Sequence, residues 1–71
     1  MNLKLPATPE EVRRHVLDLI DAAGSQSELA RKAGVGHQEV GMVARGERPP
    51  TGTFLAYLGL RRETVYVKAR R

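Results

Sequence analysis

Residues 26 to 45, QSELARKAGVGHQEVGMVAR, constrain the fold more than any other part of the chain. At about 3.6 residues per turn, their aliphatic side chains form two stripes, one of Leu29, Ala30 and Ala33 and one of Val40 and Val43. Gly34 lies between the stripes and can adopt the positive φ that a tight turn requires. The segment predicts two short helices that meet at this turn, with the small side chain of Ala30 at their closest approach.

A capping box predicts the start of a helix that precedes this segment. Thr8 is the expected N-cap, Glu11 can reach back to it, and Gly24 is the expected terminator of a helix over residues 9 to 23. The predicted inward face of this helix consists of Val12, Val16, Leu19, Ile20 and Ala23.

The two helices of the central segment differ in how well their predicted N-terminal caps satisfy the free backbone N–H groups. Ser25 and Glu28 form a second capping box before a helix over residues 26 to 33. Gly36 is the expected N-cap of the next helix, over residues 37 to 45, although glycine has no side-chain acceptor for the free N–H groups.

A short fourth helix is predicted after two consecutive prolines, which prevent the third helix from continuing beyond Gly46. Thr51 or Thr53 is its expected cap, and Gly59 its expected end. Its inward side chains are expected to be Phe54, Leu55 and Leu58.

The two ends of the chain alternate apolar and polar residues, as strands do. Leu3 and Leu5 alternate with Asn2 and Lys4, and Val65 and Val67 alternate with Thr64, Tyr66 and Lys68. Isolated strands of this length are marginal, so we expect the N-terminal strand to pair with the C-terminal one, with Val65 and Val67 buried. Pairing between two subunits remains the alternative.

The central spacing resembles the helix-turn-helix of the phage Cro and repressor family, in which an alanine precedes a glycine by four residues and three aliphatic positions follow. The matching residues are Ala30, Gly34, Val35, Val40 and Val43. Residues 45 to 50, RGERPP, resemble the family's arginine-glycine turn followed by proline. The resemblance covers roughly residues 11 to 60. Gly36 departs from it, because the family usually has serine there.

The resemblance implies a single mostly α domain over residues 1 to 71, a compact four-helix helix-turn-helix domain with short N- and C-terminal β-strands that can pair. Its helix-turn-helix would occupy residues 26 to 45. The implied protein is a small phage- or prophage-type transcriptional regulator, a Cro-like repressor that binds a short double-stranded operator and occludes a promoter. Some members of the family dimerise through C-terminal strands, so a homodimer is possible here.

The implied DNA-binding residues lie on and around the third helix, which would enter the major groove. They are Gln26, Ser27, Gly36, His37, Gln38, Gly41, Met42, Arg45 and Arg48. Gln38 can pair with adenine, His37 can donate to guanine or a phosphate, and Met42 can pack on a thymine methyl group or instead fill the core.

Phosphate contacts are expected from the start of the second helix and from arginines. Gln26 and Ser27 lie where free N–H groups and the helix dipole favour an anion. Arg45 and Arg48 are the first arginine candidates. Arg31 and Lys32 are further candidates, or else belong to a solvated face on which Glu28 pairs with Lys32.

Gly41 is unexpected, because glycine inside a helix costs roughly 0.5 to 1 kcal/mol relative to alanine. Two interpretations remain open from the sequence. The helix backbone lies close to DNA at this residue, or the position is a tolerant one on the surface.

The charge of the chain favours a polyanionic partner. The net charge is +4 and the isoelectric point is about 10.1. Residues 51 to 71 carry five basic residues and one acidic residue, the basic ones being Arg61, Arg62, Lys68, Arg70 and Arg71. Phosphate contact and a solubilising tail are both open interpretations of this excess.

Other classes of function have little support in the sequence. Cysteine is absent, the two histidines lie on different predicted helices, and no zinc-protease or phosphate-loop motif occurs, so we expect no enzyme, cofactor or metal. The short chain leaves no room for a small-molecule effector. Acidic and basic residues interrupt any apolar run near the N-terminus, which predicts a cytoplasmic protein without a membrane partner.

Two alternatives to DNA binding remain. The exposed third helix, with Gly36, Gly41 and Met42, could contact another protein, as in an accessory or antitoxin-like module. RNA binding is the weaker alternative, because Phe54, Tyr57 and Tyr66 form no stacking platform in the sequence.

Overall fold

Four helices and a small antiparallel sheet make up the fold, which confirms the mostly α class. A computed structural model describes residues 3–62 and 65–69. The elements in chain order are α1 (Pro9–Ala23), α2 (Gln26–Ala33), α3 (His37–Ala44), α4 (Gly52–Leu58), β1 (Leu60–Arg62) and β2 (Tyr66–Lys68).

The helix starts follow the predicted caps, with one exception in detail. The Thr8 hydroxyl accepts from the Glu11 N–H, and the Glu11 carboxylate accepts from the Thr8 N–H, so the first capping box is complete. Ser25 Oγ accepts from the Glu28 N–H at 3.1 Å. The Glu28 carboxylate, however, pairs with Arg31. An ion pair three residues along the helix therefore replaces the predicted return contact of Glu28, and also the pairing with Lys32 that was one of two open interpretations.

The main hydrophobic core lies between the four helices. Both predicted stripes are buried in it, around the fully buried ring of Phe54. Its buried members are Val16, Leu29, Ala30, Ala33, Val40, Val43, Ala44 and Phe54. The apolar faces of α1, α2 and α3 thus share one core, which fixes α2 and α3 against each other.

A second, smaller core joins the C-terminal hairpin to the start of α1. Its buried members are Ala7, Val12, Leu55, Leu60 and Tyr66. The hairpin pairs Leu60 with Lys68, Arg61 with Val67 and Arg62 with Tyr66. The sequence analysis did not predict β1, because Leu60 is its single buried side chain and the two arginines that follow it are exposed.

The predicted C-terminal strand is confirmed as β2, whereas the predicted N-terminal strand was wrong. Leu3 and Leu5 lie outside any strand, and the N-terminal segment meets the sheet by one bridge, in which Ala7 and Tyr66 exchange two backbone hydrogen bonds of 2.8 Å. In β2 the buried side chain is Tyr66, at 3% exposure, whereas Val67 is half-buried, as is Val65, which precedes the strand. Tyr66 belongs to the second core with Val12 and Leu60, so its face of the strand turns inward. Thr64, also assigned to this strand, lies outside the described residues, as does Asn2.

Candidate nucleic-acid interface

The turn between α2 and α3 has the tight geometry that the glycine spacing predicts. Gly34 has φ of 75°, and the N–H groups of Gly34 and Val35 both donate to the Ala30 carbonyl, at 2.9 and 3.1 Å. Ala30 is 4% exposed, so its small side chain is enclosed at the junction of the two helices. The two helices are therefore held by local geometry as well as by the shared core.

Six of the nine predicted site residues are exposed. They are Ser27, Gly36, His37, Gln38, Arg45 and Arg48. Gln26 and Met42 are half-buried, and Gly41 is buried. His37 and Gln38 lie in the first turn of α3, directly after Gly36, whose backbone is extended and whose carbonyl accepts from the Glu39 and Val40 N–H groups. The start of α3 thus presents polar side chains to solvent.

Gly41 is buried next to the ends of two side chains, whereas the sequence analysis treated it as exposed. A Cβ at Gly41 would lie 2.9 Å from Gln26 Nε2 and 3.1 Å from an Arg45 guanidinium nitrogen. The glycine therefore leaves space for the end of the Gln26 side chain, from the first residue of α2, and for the end of the Arg45 side chain, which follows α3. Neither interpretation drawn from the sequence included this contact between helices.

Arg45 is held by a carboxylate next to it. Its Nε and one terminal nitrogen donate to the two Glu47 oxygens at 3.0 and 3.2 Å. This hydrogen-bonded pair raises the pKa of Arg45 and lowers the pKa of Glu47. Both side chains are more than half exposed, and exposed ion pairs are weak, so Arg45 can exchange this carboxylate for another anion.

Arg13 holds the end of α3, a role that the sequence analysis missed. One of its terminal nitrogens donates to the Ala44 carbonyl at 3.1 Å, where a cation also meets the negative end of the helix dipole. Its other terminal nitrogen pairs with Glu10 at 2.5 Å, which lowers the pKa of Glu10. No local sequence signal indicates this contact, because Arg13 and Ala44 are 31 residues apart.

Glu39 joins the start of α4 to α3, a second role that the sequence analysis missed. Its Oε2 accepts from the Thr51 N–H at 2.9 Å and from the Thr51 hydroxyl at 2.6 Å. Thr51 is the N-cap of α4, as predicted, but its side chain makes no capping bond and donates to Glu39 instead. The carboxylate fixes the position of α4 relative to α3.

Residues 3–62 and 65–69 line at least two surface grooves near these elements. The first, of about 390 Å³, lies between the start of α1, the residues after α3 and the hairpin. Its apolar lining consists of the exposed Pro9 and Pro49 and of the buried Val12, Val43, Pro50 and Tyr66. Its charged lining residues are Glu10, Arg13, Glu47, Arg48 and Arg62.

The second groove, of about 480 Å³, lies at the other end of the hairpin and is lined by Leu3, Leu5, His15, Leu58, Gly59, Leu60 and Lys68. Burial lowers the pKa of His15, and nearby Asp18 acts in the opposite direction. Among residues 3–62 and 65–69, no group of three His, Cys, Asp or Glu side chains could hold a metal ion.

No helix in the described part of the chain combines the length and apolar character needed to cross a membrane. Comparisons with protein-family models, with curated protein sequences and with solved structures gave no match.

Proposed function

We propose that this protein is a sequence-specific double-stranded DNA-binding regulator, in which α3 enters the major groove and the bound protein occludes a promoter. The observation that carries the proposal is the α2–α3 unit, two short helices at a tight turn whose apolar faces are buried while the first turn of α3 presents His37 and Gln38 to solvent. A helix presented in this way can place side chains against base edges in the major groove.

Phosphate contacts would come from both sides of α3. Ser27 is exposed in the first turn of α2, where backbone N–H groups and the helix dipole favour an anion. Arg45 and Arg48 are exposed at the other end of α3. These contacts would fix the orientation of α3, and Gln38 would read a base, as a glutamine can with adenine.

The proposal predicts DNA binding that weakens steeply with salt, because cationic side chains displace the counterions of DNA. With four to eight phosphate contacts, the logarithm of the affinity should fall against the logarithm of the salt concentration with a slope of roughly −4 to −7. Binding to duplexes selected from a random pool, measured by fluorescence anisotropy at several salt concentrations, tests this. A slope near zero on every duplex would contradict DNA binding.

Gln38→Ala and Arg48→Ala separate base reading from phosphate binding. Gln38→Ala should relax the selected sequence at one base position and weaken binding to the selected duplex by about 1 to 3 kcal/mol. Arg48→Ala should weaken all duplexes similarly. Arg14→Ala, which removes an exposed cation of α1 that lines neither groove, is the matched control. If these variants leave DNA binding intact while capture of a partner protein is lost, α3 serves protein binding instead.

A further inference from the structure

The first groove brings together arginines from distant parts of the chain. Arg13 comes from α1, Arg48 from the segment between α3 and α4, and Arg62 from the end of β1. The position of Arg62 is fixed by the sheet register, in which it lies opposite Tyr66. Tyr66 is in turn hydrogen-bonded through its backbone to Ala7, just before α1. The hairpin therefore holds Arg62 at a defined place beside the end of α3.

The charges of this groove are only partly balanced. Glu10 pairs with Arg13, and Glu47, the other acidic residue of the lining, pairs with Arg45. Within residues 3–62 and 65–69, neither Arg48 nor Arg62 has a carboxylate partner. Two like charges in one groove repel each other, and an anion bound between them would remove that repulsion.

We infer that the first groove seats a segment of sugar-phosphate backbone, and that Arg62 thereby makes the C-terminal hairpin part of the DNA-binding surface. The inference rests on the proposed function and extends it to a residue outside the helix-turn-helix. The groove adjoins Arg48, which follows the end of α3, so a strand that contacts Arg48 passes its opening. The exposed apolar rings of Pro9 and Pro49 in the groove lining suit a deoxyribose, and the two arginines suit phosphates.

Lys68 provides a matched comparison within the same hairpin. It carries the same charge as Arg62, but it lies opposite Leu60 at the other end of the sheet and lines the second groove, with His15. If the excess of basic residues near the C-terminus acts only through its total charge, Arg62 and Lys68 are equivalent. If the first groove binds the DNA backbone, they are not.

The experiment compares the unaltered chain with Arg62→Ala, Arg62→Lys, Lys68→Ala and the double variant Arg48→Ala/Arg62→Ala. Affinity for a selected duplex and for an unrelated duplex of equal length is measured against sodium chloride concentration. We expect Arg62→Ala to make the slope of log affinity against log salt concentration shallower by about 0.9 on both duplexes, and the double variant to make it shallower by about 1.8. The reason is that binding releases about 0.9 counterions for each phosphate contact that the protein makes. Lys68→Ala should leave the slope unchanged, and Arg62→Lys should largely restore it. Melting curves of each variant establish that the fold is intact.

The outcomes separate the inference from the proposed function. If the unaltered protein shows no salt-dependent DNA binding, the proposed function and the inference both fail. If it binds DNA, and Arg62→Ala and Lys68→Ala have equal effects, the inference alone fails. An oligoglutamate peptide serves as a second probe. Tighter binding of this peptide than of the duplex, lost in Arg62→Ala, would assign the groove to an acidic protein segment and overturn the inference.

Discussion

At the scale of single residues, Gly41 illustrates how a position that looks unfavourable in sequence is explained by a neighbouring helix. Glycine lowers the helix stability of α3, yet it leaves room for the ends of the Gln26 and Arg45 side chains. Both are flexible side chains whose ends can move. A Cβ at this position therefore requires only that these two side-chain ends shift.

Gly41→Ala should stabilise the protein. Alanine inside a helix is favoured by roughly 0.5 to 1 kcal/mol over glycine, and the Gln26 and Arg45 side chains can shift to accommodate the added Cβ. Thermal or urea unfolding followed by circular dichroism measures the change. Gly36→Ala is the control, because alanine is a poor N-cap and should lower the stability by a few tenths to about 1 kcal/mol. A lower melting temperature for Gly41→Ala would mean that Gln26 and Arg45 cannot move aside.

At the scale of secondary structure, α3 is fixed at both ends by side chains from other parts of the chain. Arg13 donates to its last carbonyl, and Glu39, in its first turn, accepts from the N-cap of α4. A helix of eight residues has little stability of its own. Its position relative to α2 therefore depends on these contacts and on the shared core.

Glu39→Ala should destabilise the junction between α3 and α4. The change removes the acceptor of the partly buried Thr51 N–H and hydroxyl, and an unsatisfied polar group of this kind costs about 1 to 3 kcal/mol. Chemical unfolding measures the loss. Glu39→Gln, which keeps an oxygen acceptor, should retain much of the stability, and the exposed Glu47→Ala should change it little. Equal losses for the alanine and glutamine variants would show that the charge of Glu39, and not its hydrogen bonds, is what matters.

At the scale of the whole molecule, Tyr66 connects the two ends of the chain. Its side chain is buried in the second core with Val12 and Leu60, and its backbone pairs with Ala7. A chain of 71 residues can build only a small core and has a small margin of stability. One buried aromatic side chain is therefore a large part of what holds the hairpin to the helices.

Tyr66→Ala and Val67→Ala test which face of the C-terminal strand is buried. Removing a fully buried aromatic ring costs about 3 to 5 kcal/mol, so Tyr66→Ala should largely unfold the protein at room temperature or detach the hairpin. Val67 is half-buried, and its truncation should cost much less. Urea unfolding curves of the two variants compare their losses of unfolding free energy. The reverse order of effects would support the strand orientation predicted from the alternation of valines.

The sequence alone determined the four helices and the turn between α2 and α3, because the signals for them are local. A capping residue such as Thr8 or Ser25 accepts a hydrogen bond from an N–H group three residues along the chain. Gly34 adopts the positive φ of the turn because it has no Cβ. The apolar stripes of α2 and α3 likewise follow from a fixed helical period, so their burial was predictable residue by residue. The exposure of His37 and Gln38 followed from the same period.

Only the tertiary structure decided which distant residues meet. Arg13 reaches Ala44, Glu39 reaches Thr51, and Gln26 and Arg45 share the space at Gly41. The buried face of the C-terminal strand also depended on the tertiary structure. Valine and tyrosine both suit a strand, and it is Tyr66 that is buried against the second core. Such contacts depend on how helices and strands pack against one another. Packing is determined by many side chains from distant parts of the chain together, so no local sequence pattern predicts it.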